Sequence, residues 1–236
     1  MTLSGQRAVV TGATRGIGAA IARALDAHEV RTLLVARDPQ SLAAMAAALH
    51  YALPLSADLA QAGATAHVAS AAPRLLEGAI DILVNNAGVF DLAPIDATGD
   101  SLIEASLAVN VAAPFRLMRA LVPAMRARGS GHIVTIGSVA DRTAFPGNGA
   151  YAASKFGLRA LHEVARVELR GTGVRTTLIS PGPTDTPTWD PHDPDSNPAL
   201  PPRAEMLRAE QVADAVVWAL SQPSDVNIDE LRLSHA

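Results

Sequence analysis

Ser138, Tyr151 and Lys155 are the residues whose types and spacing could do acid–base chemistry. Tyr151 and Lys155 stand four apart in a segment that reads as helix, so they share one face. Ser138 closes an apolar strand thirteen residues before Tyr151. A free phenol is a poor base at neutral pH, with a pKa of about 10. An ammonium group beside it favours phenolate and should bring Tyr151 nearer to working pH. A serine hydroxyl can donate a hydrogen bond to an oxygen that gains charge. Such chemistry suits the interconversion of a carbonyl and an alcohol, which needs a proton on oxygen and a hydride on carbon. A Tyr-x-x-x-Lys pair alone is common on helix surfaces, so the rest of the chain must support it.

Support comes from Val9-Val10-Thr11-Gly12-Ala13-Thr14-Arg15-Gly16-Ile17-Gly18. An apolar strand runs into a Gly-rich turn, and Ile17, Ile21 and Leu25 then recur at helical spacing. The helix N-terminus points unpaired N–H groups at the turn, and its dipole favours an anion there. Glycines let the backbone approach a pyrophosphate. In dinucleotide folds the end of the second strand lies beside the adenosine ribose, where a carboxylate holds the 2′-OH of NAD. Here Ala36-Arg37 stands at that end and Asp38 is one step further on. Arg15 and Arg37 instead suit a 2′-phosphate, so NADP(H) is expected and NAD(H) is the lesser alternative.

Several motifs share one order along the chain: Thr11-Gly12-x-x-x-Gly16-x-Gly18, Asn85-Asn86-Ala87-Gly88, Asn110, Ser138 and Tyr151-x-x-x-Lys155. From residue 5 to about residue 182 the chain resembles the short-chain dehydrogenase/reductase family, in its compact single-domain type. The resemblance implies a Tyr151 acid/base, with Lys155 acidifying the phenol and holding the nicotinamide ribose. It implies a Ser138 that steadies the substrate oxygen and an Asn110 that holds a water leading from Lys155 to solvent. It further implies cofactor contacts at Gly12, Thr14, Arg15, Gly16, Ile17 and Gly18, and at Arg37. Asp58 and Leu59 would meet the adenine, and Asn85, Ala87 and Gly88 the ribose. Pro181, Gly182, Thr184 and Thr186 would meet the nicotinamide carboxamide.

The elements that must position these residues alternate between strand and helix patterns, which predicts a Rossmann-type α/β fold. About seven parallel strands are expected in one domain, with helices on both faces. The patterns predict helices over 39–50, 60–76, 100–128, 149–170 and 210–220, the third bent at Pro114 or Pro123. They predict a strand over 131–138 and a last strand over 226–233. Seven of the 16 prolines fall within 183–202, which excludes regular helix or sheet there. Residues 183–208 are therefore expected to form a substrate lid at the carboxyl edge of the sheet, with surface disorder as the rival. Trp189, Phe90, Val139 and Phe145 could line an apolar pocket.

Composition narrows the partners. Hydrophobic residues make up 49% of the 236 residues and the formal net charge is −4, with no basic run to engage nucleic acid. The chain has no cysteine, and its seven histidines are scattered, so no metal site is read. His132 and His162 are expected to be structural or exposed. Residues 1–7 lack the apolar core of a signal peptide, and no apolar run is expected to span a bilayer. A cytoplasmic protein is the expectation. The two long helices are rich in Ala and Leu and suit packing between copies, as a homo-dimer or homo-tetramer. A small carbonyl or alcohol is the expected substrate. The lower-ranked alternative is a catalytically silent NADP(H)-binding sensor or scaffold, disfavoured because Tyr151 and Lys155 are both present.

Overall fold

The computed structural model describes residues 2–236. Its frame is a parallel sheet in the order β3-β2-β1-β4-β5-β6-β9. The strands are β1 (Arg7–Thr11), β2 (Arg31–Ala36), β3 (Ala52–Ser56), β4 (Ile82–Asn85), β5 (Gly131–Ile136), β6 (Val174–Pro181) and β9 (Glu230–Leu233). The period-2 geometry of a strand sends successive side chains to opposite faces. Ala8 and Val10, Leu34, and Ile82 and Val84 enter one apolar layer, which is closed by Ile21, Leu25, Val212 and Val216. Val9, Leu33, Val35 and Leu83 enter the other, closed by Val68, Leu117, Met125 and Leu169. Helices α1 (Gly16–Ala27), α2 (Pro39–Ala47) and α7 (Ala209–Leu220) thus cover one face. Helices α3 (Ala64–Leu75), α5 (Ala113–Arg128) and α6 (Gly149–Leu169) cover the other.

The strand order reverses between β1 and β4, which pair directly through Ala8 with Ile82 and Val10 with Val84. A crevice forms outside the carboxyl ends of strands at such a switch point.

Several boundaries differ from expectation for local reasons. The 100–128 helix is interrupted by a π turn, Ala108–Ala112, between α4 (Asp100–Leu107) and α5. Pro114 lacks an N–H and its ring crowds the carbonyl four residues earlier, that of Asn110. Pro123 lies inside α5 without ending it. Helix α3 starts at Ala64 because Gly63 has φ +82 and breaks the turn begun at Asp58. The 100–128 stretch is long and apolar enough to cross a membrane by length and composition, its most apolar 18-residue window having a mean hydropathy of 1.3. That corrects the expectation that no such run exists. In the fold its Leu117, Leu121 and Met125 are buried against the sheet.

Residues 183–208 carry more order than their prolines suggest. Strand β7 (Thr184–Asp185) pairs with β8 (Leu207–Arg208) at the base, a short ribbon that the sequence patterns did not reveal. Between them run 3-10 turns at Pro187–His192 and Arg203–Glu205. Arg203 pins the segment: its guanidinium meets Asp185, Asp190 at 2.6 Å and Asp195 at 3.8 Å.

Candidate active site

The Gly-rich turn takes its shape from close backbone approaches. Gly12 has φ +66, and a Cβ there would meet the Ala87 Cα at 2.9 Å. A Cβ on Gly18 would meet the Gly12 carbonyl oxygen at 2.1 Å, so that glycine is required by the turn itself. Gly16 faces the lid, with Thr186 Cγ2 at 3.0 Å from where its Cβ would stand. Thr11 and Asn86, which belong to the two sequence motifs but not to the expected site residues, brace the turn. The Asn86 and Ala87 backbone N–H groups each donate to Thr11 Oγ1 at 3.0 Å. Asn86 Nδ2 donates to the Thr11 carbonyl at 2.8 Å. Their signal was the polar pair at two adjacent strand ends.

A single crevice of about 790 Å³ joins this turn to the acid–base residues. Gly12, Thr14, Arg15, Gly16, Ile17 and Gly18 line it, as do Arg37, Asp58 and Leu59. So do Ala87 and Gly88, Pro181, Gly182, Thr184 and Thr186, and finally Ser138, Tyr151 and Lys155. Two expected residues are not brought to it. Asn85 is buried behind the wall, and neither polar atom of its side chain has a hydrogen-bond partner among the described residues. Asn86 takes its place on the lining. Asn110 is fully buried in the π turn, and its side chain is spent on neighbours. Its Oδ1 accepts from Val89 N at 2.7 Å, and its Nδ2 donates to the Val89 carbonyl at 2.9 Å and Ser154 Oγ at 2.8 Å. Asn110 therefore ties the loop after β4 to α6.

At one end, Arg15 and Arg37 are exposed and, among the described residues, form no ion pair. The Asp38 carboxylate accepts from Ser41 N at 2.7 Å, capping α2. Hydrogen bonds from Ser41 hold that carboxyl below the ordinary range. Asp58 accepts from Ala60 N at 3.1 Å.

At the other end, Ser138 leaves the tip of β5 and accepts from Ala140 N at 3.1 Å. Lys155 Nζ donates to the Ile136 carbonyl at 2.9 Å and lies 5.6 Å from the Tyr151 ring centre. Burial draws the Lys155 ammonium down to about 8, opposed by the Asp141 carboxylate. Burial pushes the Tyr151 phenol up to about 12, with the Ser138 hydroxyl pulling the other way and Asp141 adding to the rise. This corrects the expectation that Lys155 draws the phenol toward neutral pH. Desolvation outweighs an ammonium that is turned toward a carbonyl. Asp141 itself is buried, accepting from Ser180 Oγ at 2.6 Å and Arg142 Nε at 2.7 Å.

A Gly-rich turn at a helix N-terminus, a switch-point crevice and a Ser-Tyr-Lys cluster share one cavity, the arrangement of a dinucleotide-dependent oxidoreductase. The family model for short chain dehydrogenase matches residues 6–197, and the chain belongs to that family of NAD(P)-dependent dehydrogenases and reductases. An uncharacterised oxidoreductase of Staphylococcus epidermidis is 33% identical over 228 residues, 96% of this chain and 95% of its own length. Glycine betaine reductase of Emericella nidulans is 35% identical over 238 residues, and the chain spans only 19% of its length. Among solved structures, a metagenomic short-chain oxidoreductase in complex with NADP matches with a TM-score of 0.83 and 36% identity, covering 99% of both chains.

Proposed function

We propose that this protein is an NADP(H)-dependent reductase, or its reverse alcohol dehydrogenase, with Tyr151 as the acid/base. The observation that carries the reading is the convergence of Ser138, Tyr151 and Lys155 with the Gly-rich turn in one crevice. The turn fits a dinucleotide: close backbone approaches keep it free of side chains, and α1 presents its N-terminus there. Arg15 and Arg37, without ion pairs among the described residues, favour the 2′-phosphorylated form, since the Asp38 carboxylate that follows Arg37 caps α2 and Asp58 accepts from Ala60 N. The structural relative in complex with NADP supports the same choice.

Bound NADPH would supply the hydride. The chain's own residues do the rest. Ser138 donates to the carbonyl oxygen and steadies its developing charge. Tyr151, held protonated by burial, gives its proton to that oxygen. Lys155, beside the Tyr151 ring, would hold the nicotinamide ribose, and the phenol's proton would be replaced from solvent after the product leaves. Asn110 is a positioning residue, fixing the Val89 backbone and α6. Tyr151→Phe should lower kcat by about 1000-fold with NADPH affinity retained. Stopped-flow turnover and NADPH fluorescence titration check both, and retained turnover defeats the mechanism. A silent sensor would bind NADPH without consuming it.

The cytoplasm is the proposed location. Exposed Leu107, Phe115, Phe156 and Val167 on α4, α5 and α6 support a homo-oligomer built through those helices.

A further inference from the structure

We propose that the substrate is an uncharged carbonyl compound bearing an aromatic or bulky apolar group. The proposal rests on the reductase reading above and deepens it. Three observations carry it.

The first is the lining. Around Tyr151 the crevice wall is made by Phe90, Leu92, Val139, Phe145, Trp189 and Leu200. Phe90 stands at its centre. Its ring meets Tyr151 edge-on at 4.8 Å, Trp189 at 5.0 Å and His192 edge-on at 5.3 Å. In a chain with only 3% aromatic residues, this concentration is a built apolar wall.

The second is the placing of cations. The positively charged residues on the crevice wall are Arg15, Arg37 and Lys155. Arg15 and Arg37 flank the glycine turn and the end of β2, far along the crevice from the aromatic wall. Lys155 is turned to the Ile136 carbonyl. The nearby guanidinium groups are committed elsewhere. Arg203 is held by Asp185, Asp190 and Asp195. Arg142 and Arg159 are held by Asp141 and Glu230. His192, edge-on to Phe90, faces the Asp91 carboxylate at 3.6 Å. The polar side chains left on this part of the wall, Asn148, Thr188 and Asn197, are neutral, so a substrate carboxylate would be desolvated without a free cation to pair with, which is costly.

The third is the lid's own charge. Residues 183–208 carry Asp185, Asp190, Asp193, Asp195 and Glu205 against Arg203 and Arg208. An approaching anion meets like charge at the mouth.

The test uses the purified full chain with NADPH. Acetophenone and cyclohexanone are compared with para-acetylbenzoate and levulinate, following NADPH oxidation. The uncharged ketones should show kcat/KM at least about 100-fold above the anions. Trp189→Ala should lower kcat/KM for acetophenone by about 10- to 100-fold, read against an NADPH fluorescence titration that shows the cofactor still bound. Leu200→Arg should raise kcat/KM for para-acetylbenzoate at least about 10-fold, by supplying the missing partner. Anions turned over as well as their neutral counterparts, or a Trp189→Ala enzyme equal to the parent, overturns this proposal alone. NADPH binding with none of the four ketones reduced overturns the reductase reading as well.

Discussion

Tyr151 and Lys155 are displaced in opposite senses by one cause, burial, which disfavours the charged form of each. The result is a proton donor beside a cation that gives up its proton more readily than an exposed lysine. The Tyr151–Lys155 spacing was legible because i,i+4 on a helix is fixed geometry. The direction of the phenol's shift was not, since it is set by how deeply the fold buries Tyr151. Asn110 was legible as a position but not as a contact, because the π turn that buries it arises from a proline four residues on. Arg37 offers the sharpest residue-scale prediction. A charge-assisted hydrogen bond to a phosphate contributes about 1.5–3 kcal/mol. Arg37→Ala should therefore raise the KM for NADPH by about 10- to 100-fold and leave that for NADH nearly unchanged. Steady-state kinetics with both cofactors decide it, and equal effects refute the assignment.

Helix α1 ends in a Schellman motif built around a residue that is not glycine. Glu29 N donates to the Asp26 carbonyl at 2.9 Å, and Val30 N donates to the Leu25 carbonyl at 3.0 Å. Leu25 and Val30 are both fully buried, the apolar contact that accompanies this motif. Glu29 takes φ 58, a conformation that costs a residue with a Cβ about 1 kcal/mol. Glu29→Gly relieves that strain but forfeits the hydrogen bond from Ser4 Oγ at 2.6 Å, which is exposed and weak. A net gain of about 0.5 kcal/mol is expected in urea unfolding, and a loss would show that the Ser4 contact outweighs the strain. The sequence His28-Glu29 at the end of α1 lacks the glycine that usually makes such a stop. Elsewhere at this scale the long periodic helices could be read, since their apolar residues face one layer. The β7–β8 ribbon could not, because two residues carry no period. The order of the lid also lay beyond local pattern. It depends on Arg203 meeting carboxylates eight to eighteen residues away along the chain.

At the scale of the whole molecule, the two apolar layers leave Phe156 and Val167 of α6 uncovered. If copies associate there, a Phe156→Glu/Val167→Glu double variant should shift the mass by light scattering toward that of a single chain. An unchanged mass would remove these helices from the interface. Beneath the same helix lies a second, pH-dependent contribution to stability. His132 is buried with Nε2 at 2.8 Å from Thr177 Oγ1, and His162 is buried with Nδ1 at 3.0 Å from Thr135 Oγ1. Burial draws their imidazoles down to about 3 and about 4. Unfolded imidazoles take up protons as pH falls through about 6.5, while the folded ones stay neutral. The unfolded state then binds more protons, so stability falls with pH. The contribution is complete above about pH 6.5 and is lost progressively toward pH 4 and below, at about 1.4 kcal/mol per pH unit for each imidazole. Urea unfolding between pH 7.5 and pH 5 should show this slope before the carboxylates titrate. A His132→Gln/His162→Gln double variant should flatten it, whatever its stability at neutral pH. If the slope survives in that variant, the acid sensitivity belongs to groups other than these two imidazoles.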